Sequence, residues 1–157
     1  RRFPNARVVG LEIDPVGAEL AQQAIADAGL ESRAEVVLGD ANELADVNTY
    51  DLVTMSITLH ETGGPEEYRN VLTRVRRALT PQGALVVSEL PYPDSPREYR
   101  DRPVYQALAG VQFHEAIVGC GAITQGELRL LLAGAGFTNP RAIDQPLQTR
   151  FVMLAEK

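Results

Sequence analysis

The stretch Thr58-Leu59-His60-Glu61-Thr62-Gly63-Gly64 sets a histidine beside a glutamate at the end of an apolar run. The chain has only two histidines, and the other, His114, is also followed by an acid, in Phe113-His114-Glu115. An unperturbed imidazole titrates at about 6.5, so its neutral form accepts a proton near neutral pH. The same nitrogens are metal ligands. Three more acids, Glu12, Asp40 and Glu89, stand at the ends of short apolar runs. A carboxylate in such a position can accept both hydroxyls of a ribose, and Asp40 can accept the exocyclic amine of an adenine. Each acid can equally be a loop carboxylate or a helix cap.

These residues are useful only if the fold gathers them. Val8-Val9-Gly10-Leu11-Glu12-Ile13 is β-branched and apolar and reads as a strand. Asp14-Pro15 opens a helix with Val16, Leu20, Ala24 and Ala28 on one face, ended by Gly29. Ala34 to Leu38 is the second strand, with a short helix or loop over Asn42 to Ala45, and Asp51 to Ile57 is the third. Pro65 starts a helix carrying Val71, Leu72, Val75, Ala78 and Leu79; a turn at Pro81-Gln82-Gly83 leads to the fourth strand, Ala84 to Ser88. An irregular stretch, Pro91 to Pro103, precedes a helix over Val104 to Val118. Thr124 caps a helix from Gln125 to Ala135 that Gly136 ends. Arg141 to Asp144 and Arg150 to Glu156 are the last strands, joined by Gln145 to Thr149. Arg1 to Asn5 reads as the tail of a helix running into the first strand.

Strand and helix alternate up to about Leu90. That order predicts an α/β fold with a mainly parallel sheet, helices on both faces and an antiparallel C-terminal hairpin. Ligands of such sheets sit beyond the carboxyl ends of the strands. Glu12, Asp40, Ser56 to His60 and Glu89 should therefore line one edge together.

At 157 residues with an apolar share of 45%, the chain is one domain's worth. The net charge of -6 and the scattered basic residues argue against a nucleic-acid surface. No apolar run approaches the roughly 20 residues of a membrane span. The single cysteine, Cys120, excludes an internal disulfide and points to a cytoplasmic setting. It sits between glycines and reads as packing rather than a nucleophile. Tyr92, Tyr99 and Tyr105 with Phe113 are either an aromatic pocket wall or a roof over the sheet.

The runs VVGLEIDP, VVLGDANEL, YDLVTMSITLHE, LTRVRRALTPQGALVVSEL and LLLAGAGF resemble class I S-adenosylmethionine-dependent methyltransferases. They resemble that family's strands from the second onward, including its ribose-binding and adenine-binding acids. The resemblance implies a Rossmann-like fold and cofactor contacts by Glu12, Ile13, Asp40, Ala41 and Ser56. The family's first strand and glycine-rich loop have no match here. The chain is therefore expected to be the C-terminal part of one catalytic domain. An upstream segment, with a helical dimerisation domain, would lie outside this sequence.

Within the family, SITLHET resembles the segment of small-molecule O-methyltransferases whose histidine is the general base. The resemblance places His60 in that role, with Glu89 as one of two flanking glutamates. Ala122, in Gly121-Ala122-Ile123-Thr124, stands where the other would be. The paired His-Glu dipeptides also resemble an iron-dependent phenylpyruvate C-methyltransferase of the superfamily. That likeness implies iron held by His60 and His114, with Glu61, Glu89 or Glu115 completing the set. The expected activity is methyl transfer from S-adenosylmethionine to a small aromatic or keto-acid-like metabolite. His60 would act directly or through the metal, in a protein that forms a homodimer. A family-like binding or dimerisation module without catalysis is the alternative. A nicotinamide-dependent enzyme would also suit Glu12, but not Asp40 and the TPQGALVV turn.

Overall fold

The computed structural model describes residues 3–100, 102–144 and 149–157. The chain forms two compact units, one running to Leu44 and the other beginning at Ala45.

In the first unit, strand β1 (Val8–Glu12) pairs in parallel with β2 (Ala34–Leu38), and helix α1 (Pro15–Asp27) is the crossover between them. Asp14 caps α1, its side chain accepting from Val16 N, and Pro15 stands in the first turn, where its missing N–H is no loss. Gly29 closes the helix with a φ of 64°, a left-handed conformation that favours glycine. Val8, Val9, Leu11, Val37 and Leu38 are exposed on the two strands. Parallel strands are ordinarily covered on both faces, so this pair presents an apolar surface of its own. Pro4 and Asn5 form a turn rather than the end of a helix, while Arg1 and Arg2 lie outside the described residues.

The second unit is a four-stranded sheet in the order β3-β4-β6-β5. Strand β3 (Tyr50–Ser56) runs parallel to β4 (Leu79–Glu89), and α2 (Pro65–Ala78) is their crossover. Helix α3 (Pro103–Val118) and helix α4 (Gln125–Gly134) follow, then β5 (Thr138–Ile143) and β6 (Phe151–Glu156). The two last strands pair antiparallel, as the sequence predicts, and β6 lies between β4 and β5. The link between them falls mostly on residues 145–148, outside the described residues, as does Asp101 in the irregular stretch.

Alternation builds the core of this unit. Leu79, Leu85, Val87 and Glu89 point inward on β4, and Val71, Leu72 and Val75 repeat at helical spacing on α2. Leu128 and Leu132 of α4 and Met153 and Ala155 of β6 are buried with them. The expected turn at Pro81-Gln82-Gly83 is instead a bulge within one continuous strand. Tyr50 pairs with Leu79 but Leu52 with Ala84, so the residues between Leu79 and Ala84 bow out opposite Asp51. Thr80 Oγ1 donates to Asp51 Oδ1 across the bulge at 3.2 Å. No helix among the described residues is long and apolar enough to cross a membrane.

Candidate active site

Strand β3 ends at Ser56, and the next residue, Ile57, has a φ of 51°. A β-branched side chain rarely adopts that conformation, and holding it there costs about 1–3 kcal/mol. The reversal is fixed by Ile57 N–H donating to Ser88 O of β4 at 2.8 Å. It carries the chain into a short 3-10 turn, Leu59–Glu61, whose middle residue is His60.

His60 is only 1% exposed, and Glu89, at the end of the neighbouring strand, is 2% exposed. His60 Nδ1 lies 2.7 Å from Glu89 Oε2, while Glu89 Oε1 accepts from Leu59 N–H at 3.1 Å. An ionised carboxylate only accepts, so this network assigns the proton to Nδ1 and leaves the lone pair on Nε2. The main chain of His60 is clamped as well. Its carbonyl accepts from Gly121 N–H at 3.2 Å and from the Tyr68 hydroxyl at 3.3 Å. An added Cβ at Gly121 would overlap the Tyr68 hydroxyl, so a larger residue there would force the tyrosine to shift.

Nε2 itself is buried and has no hydrogen-bond partner among the described residues. The nearest charges are Glu115 Oε2 at 3.9 Å and Glu61 Oε1 at 4.0 Å, both beyond hydrogen-bond range. The hydrogen bond that His60 donates to Glu89 raises the His60 pKa above its ordinary 6.5, against the opposing effect of burial; the charges of Glu89, Glu115 and Glu61 raise it too. The Tyr92 hydroxyl is likewise buried, with no hydrogen-bond partner among the described residues. Burial first, then the charge of Glu115, pushes its pKa up to about 12, so it remains a donor. Burial and the same two carboxylates, Glu115 and Glu61, raise the Cys120 pKa, which keeps it a thiol and fits packing better than nucleophilic chemistry.

The fold thus brings His60 and Glu89 together, as the sequence suggests. His114 does not join them. Its side chain is exposed on α3, and the following residue, Glu115, is the one that approaches Nε2. One residue along a helix is a rotation of about 100°, which separates the two. The two-histidine iron site therefore does not fit these residues, and no group of three or more His, Cys, Asp or Glu among the described residues could hold a metal ion. The sequence offers Glu115 only as one of three acids that could complete a metal set. The less exposed residues Tyr105, Leu108 and Glu115 of α3 are three and seven apart, on one helical face.

The expected cofactor residues are placed as follows. Glu12 Oε1 accepts from Asp14 N–H at 3.0 Å, and Asp40 Oδ1 accepts from Asn42 N–H at 2.8 Å, capping the 3-10 turn Ala41–Glu43. Both acids therefore do the capping work that their positions allowed. Each such bond uses one oxygen of a group that can accept about four, so a ribose or an adenine amine can still be held. Ile13 is exposed beyond the end of β1. Ser56, in the second unit, accepts from Arg150 Nη1 through its hydroxyl at 2.9 Å.

Comparisons with known proteins agree with this architecture. Residues 1–83, more than half of the chain, match the family model described as Methyltransferase domain. The O-methyltransferase imqG of Aspergillus flavus is 46% identical over 44 residues, covering 28% of this chain and 18% of that protein. A solved S-adenosylmethionine-dependent methyltransferase, SibL, superposes with a TM-score of 0.79 at 25% identity, over 98% of this chain and 44% of its own. A solved O-methyltransferase-like protein from Nostoc punctiforme gives a TM-score of 0.81 at 23% identity, over 98% of this chain and 46% of its own. The chain spans less than half the length of each of these three. The fold is the Rossmann-like α/β fold of S-adenosylmethionine-dependent methyltransferases, and the chain belongs to the methyltransferase domain family.

Proposed function

We propose that this chain is the C-terminal part of an S-adenosylmethionine-dependent methyltransferase that acts on a hydroxyl of a small molecule, with His60 as general base. The observation that carries the reading is the imidazole itself: Nδ1 is locked on Glu89, and Nε2 is buried with no partner among the described residues. A base must present its lone pair to the acceptor, and a neutral imidazole held in this tautomer does so.

Bound S-adenosylmethionine supplies an electrophilic methyl group on a sulfonium. Glu12 and Ile13 would hold its ribose, and Asp40 and Ala41 its adenine. His60 Nε2 takes the hydroxyl proton as the oxygen bonds to the methyl carbon and the carbon–sulfur bond breaks. Glu89 then faces an imidazolium and stabilises it. Much of the remaining rate gain comes from orientation, which can supply about 7–11 kcal/mol of a barrier.

We further infer an upstream segment that covers the apolar strands of the first unit and contributes to a homodimer. The exposure of Val8, Val9, Leu11, Val37 and Leu38 supports the first part, and that of Val111, Phe113 and Ile117 on α3 supports the second.

The test is methyl transfer by the full-length protein with a panel of phenols, comparing wild type with His60→Ala and His60→Gln. A loss of about 10²- to 10⁴-fold in kcat with little change in cofactor affinity is expected. Activity within about threefold of wild type in both variants would remove His60 from the reaction.

A further inference from the structure

The sheet of the second unit carries at its ligand edge a cation that the chemistry at His60 does not use. Arg150 stands just before β6. Strand β6 runs antiparallel to β4, so its start lies at the edge where β3 and β4 end. From there Arg150 Nη1 donates to the hydroxyl of Ser56, the last residue of β3, at 2.9 Å.

Register separates this pair from the base. Ser56 pairs with Ser88, and Ser88 with Val152, and residues paired across strands share a face. Glu89 pairs with Phe151, one position along each strand and therefore on the other face. The carboxylate that holds His60 is thus on the opposite face of the sheet from Ser56 and the guanidinium bonded to it. Among the described residues, Arg150 forms no salt bridge.

A strut between β3 and β6 would need only a neutral donor. A guanidinium has five N–H donors, and one is spent on Ser56. The Ser56 hydroxyl accepts that bond and keeps its own proton, which has no acceptor among the described residues. What remains is a positive charge beside a hydroxyl donor, in a chain of net charge -6. The planar fork of an arginine matches a carboxylate, and ligands of such sheets gather beyond this edge. In the proposed reaction the acceptor hydroxyl faces His60 Nε2. The other reactant, the cofactor, has one carboxylate, at the end of its methionine portion.

Resting on the proposed methyl transfer, we propose that Arg150 and Ser56 bind the carboxylate of S-adenosylmethionine, Arg150 as an ion pair and Ser56 through its hydroxyl proton. Ser56 is expected to touch the cofactor from the family resemblance. Arg150 lies outside every run that carries that resemblance and is this chain's own addition.

The experiment is calorimetric titration of the full-length protein with two probes. One is S-adenosylhomocysteine; the other is its decarboxylated analogue, which keeps the adenosine, the thioether and the amine. Wild type should bind S-adenosylhomocysteine at least about 10-fold more tightly, the effect of one charge-assisted hydrogen bond. Arg150→Ala should remove most of that advantage, while the analogue binds within about twofold of wild type. Arg150→Lys keeps the charge and should retain part of it. Arg150 is exposed, so its replacement leaves the fold in place. A merely structural arginine would weaken both probes alike. Equal binding of the two probes by wild type, an advantage that survives Arg150→Ala, or an equal loss for both probes would each overturn the proposal. Methyl transfer is read separately. An advantage that depends on Arg150 without methyl transfer would sink the proposed function and leave this inference standing. Methyl transfer that needs His60, with an advantage that survives Arg150→Ala, would do the reverse. Failure of wild type to bind S-adenosylhomocysteine would sink both.

Discussion

Glu89→Gln is the sharpest perturbation of the site, because the two side chains have the same shape and differ in acceptors. Glu89 accepts twice, from His60 Nδ1 at 2.7 Å and from Leu59 N–H at 3.1 Å. Glutamine has one acceptor oxygen and a donating NH2 group. If its oxygen stays on Leu59, the NH2 faces Nδ1, which must then give up its proton. The proton moves to Nε2 and the base is lost. If the oxygen stays on Nδ1, a buried donor at Leu59 is orphaned, at about 1–3 kcal/mol. Both routes lose a charge-assisted bond. The first should cost about 10²- to 10⁴-fold in kcat. The pH dependence has a definite sign. The folded pKa of His60 is raised above 6.5, chiefly by Glu89. The imidazolium–carboxylate attraction therefore stabilises the fold fully below pH 6.5 and is lost as the pH rises through the folded value. Urea unfolding of wild type and variant should show a larger gap on the acid side than on the alkaline side. Nitrogen-15 spectra of the imidazole read the tautomer directly. A variant that keeps the Nδ1 proton, loses equal stability at both pH extremes and works within about threefold of wild type would refute the reasoning.

Other substitutions probe the supports of the same site. Gly121→Ala should displace the Tyr68 hydroxyl, break its bond to the His60 carbonyl and cost about 1–3 kcal/mol in thermal or urea unfolding. Tyr92→Phe should leave stability unchanged or raise it slightly, since it removes a buried hydroxyl without a partner among the described residues. A rise in acceptor KM in that variant would show that the hydroxyl meets the ligand. His114→Ala should change stability by no more than about 0.5 kcal/mol, as an exposed position does; loss of bound iron together with activity would restore the two-histidine site.

Local chemistry made much of this fold legible. Asp14-Pro15, Pro65, and Thr124 with Glu127 are start signals that need only their own neighbours, and each opens the helix that the sequence predicts. The pairing of His60 with Glu89 was also within reach, because both stand at the ends of neighbouring parallel strands. What failed was rotation and register. Nothing local separates His114 from Glu115, since only the packing face of α3 decides which one turns inward. Pro81-Gln82-Gly83 carries ordinary turn chemistry, yet β3 on one side and β6 on the other keep the strand continuous, with Lys157 N–H bonded to Gly83 O. The tight approach of Gly121 to Tyr68 depends on two segments far apart in the chain and has no signature in either.

The choice between an enzyme and a binding module turns on what the fold tolerates around His60. An unsatisfied buried polar group costs about 1–3 kcal/mol, and a β-branched residue at positive φ costs a similar amount. Both occur within four residues, at Ile57 and at His60 Nε2. The reversal at Ile57 leads into the turn that holds His60 against Glu89. A module that binds through some other face gains nothing from either. Uncharged residues in place of both His60 and Glu89 would leave it a core without a buried charge. An enzyme needs both, since a lone pair can be offered to a ligand only if the protein leaves it unpartnered. Measured stability therefore separates the two readings without any substrate. In an enzyme, His60→Leu combined with Glu89→Gln, which leaves no unpaired buried charge and keeps an acceptor for Leu59 N–H, should be about as stable as wild type at pH values above the raised folded pKa of His60, where the imidazolium no longer helps the fold. A large loss of stability there would mean that His60 is structural, and the methyl-transfer reading would lose its main support.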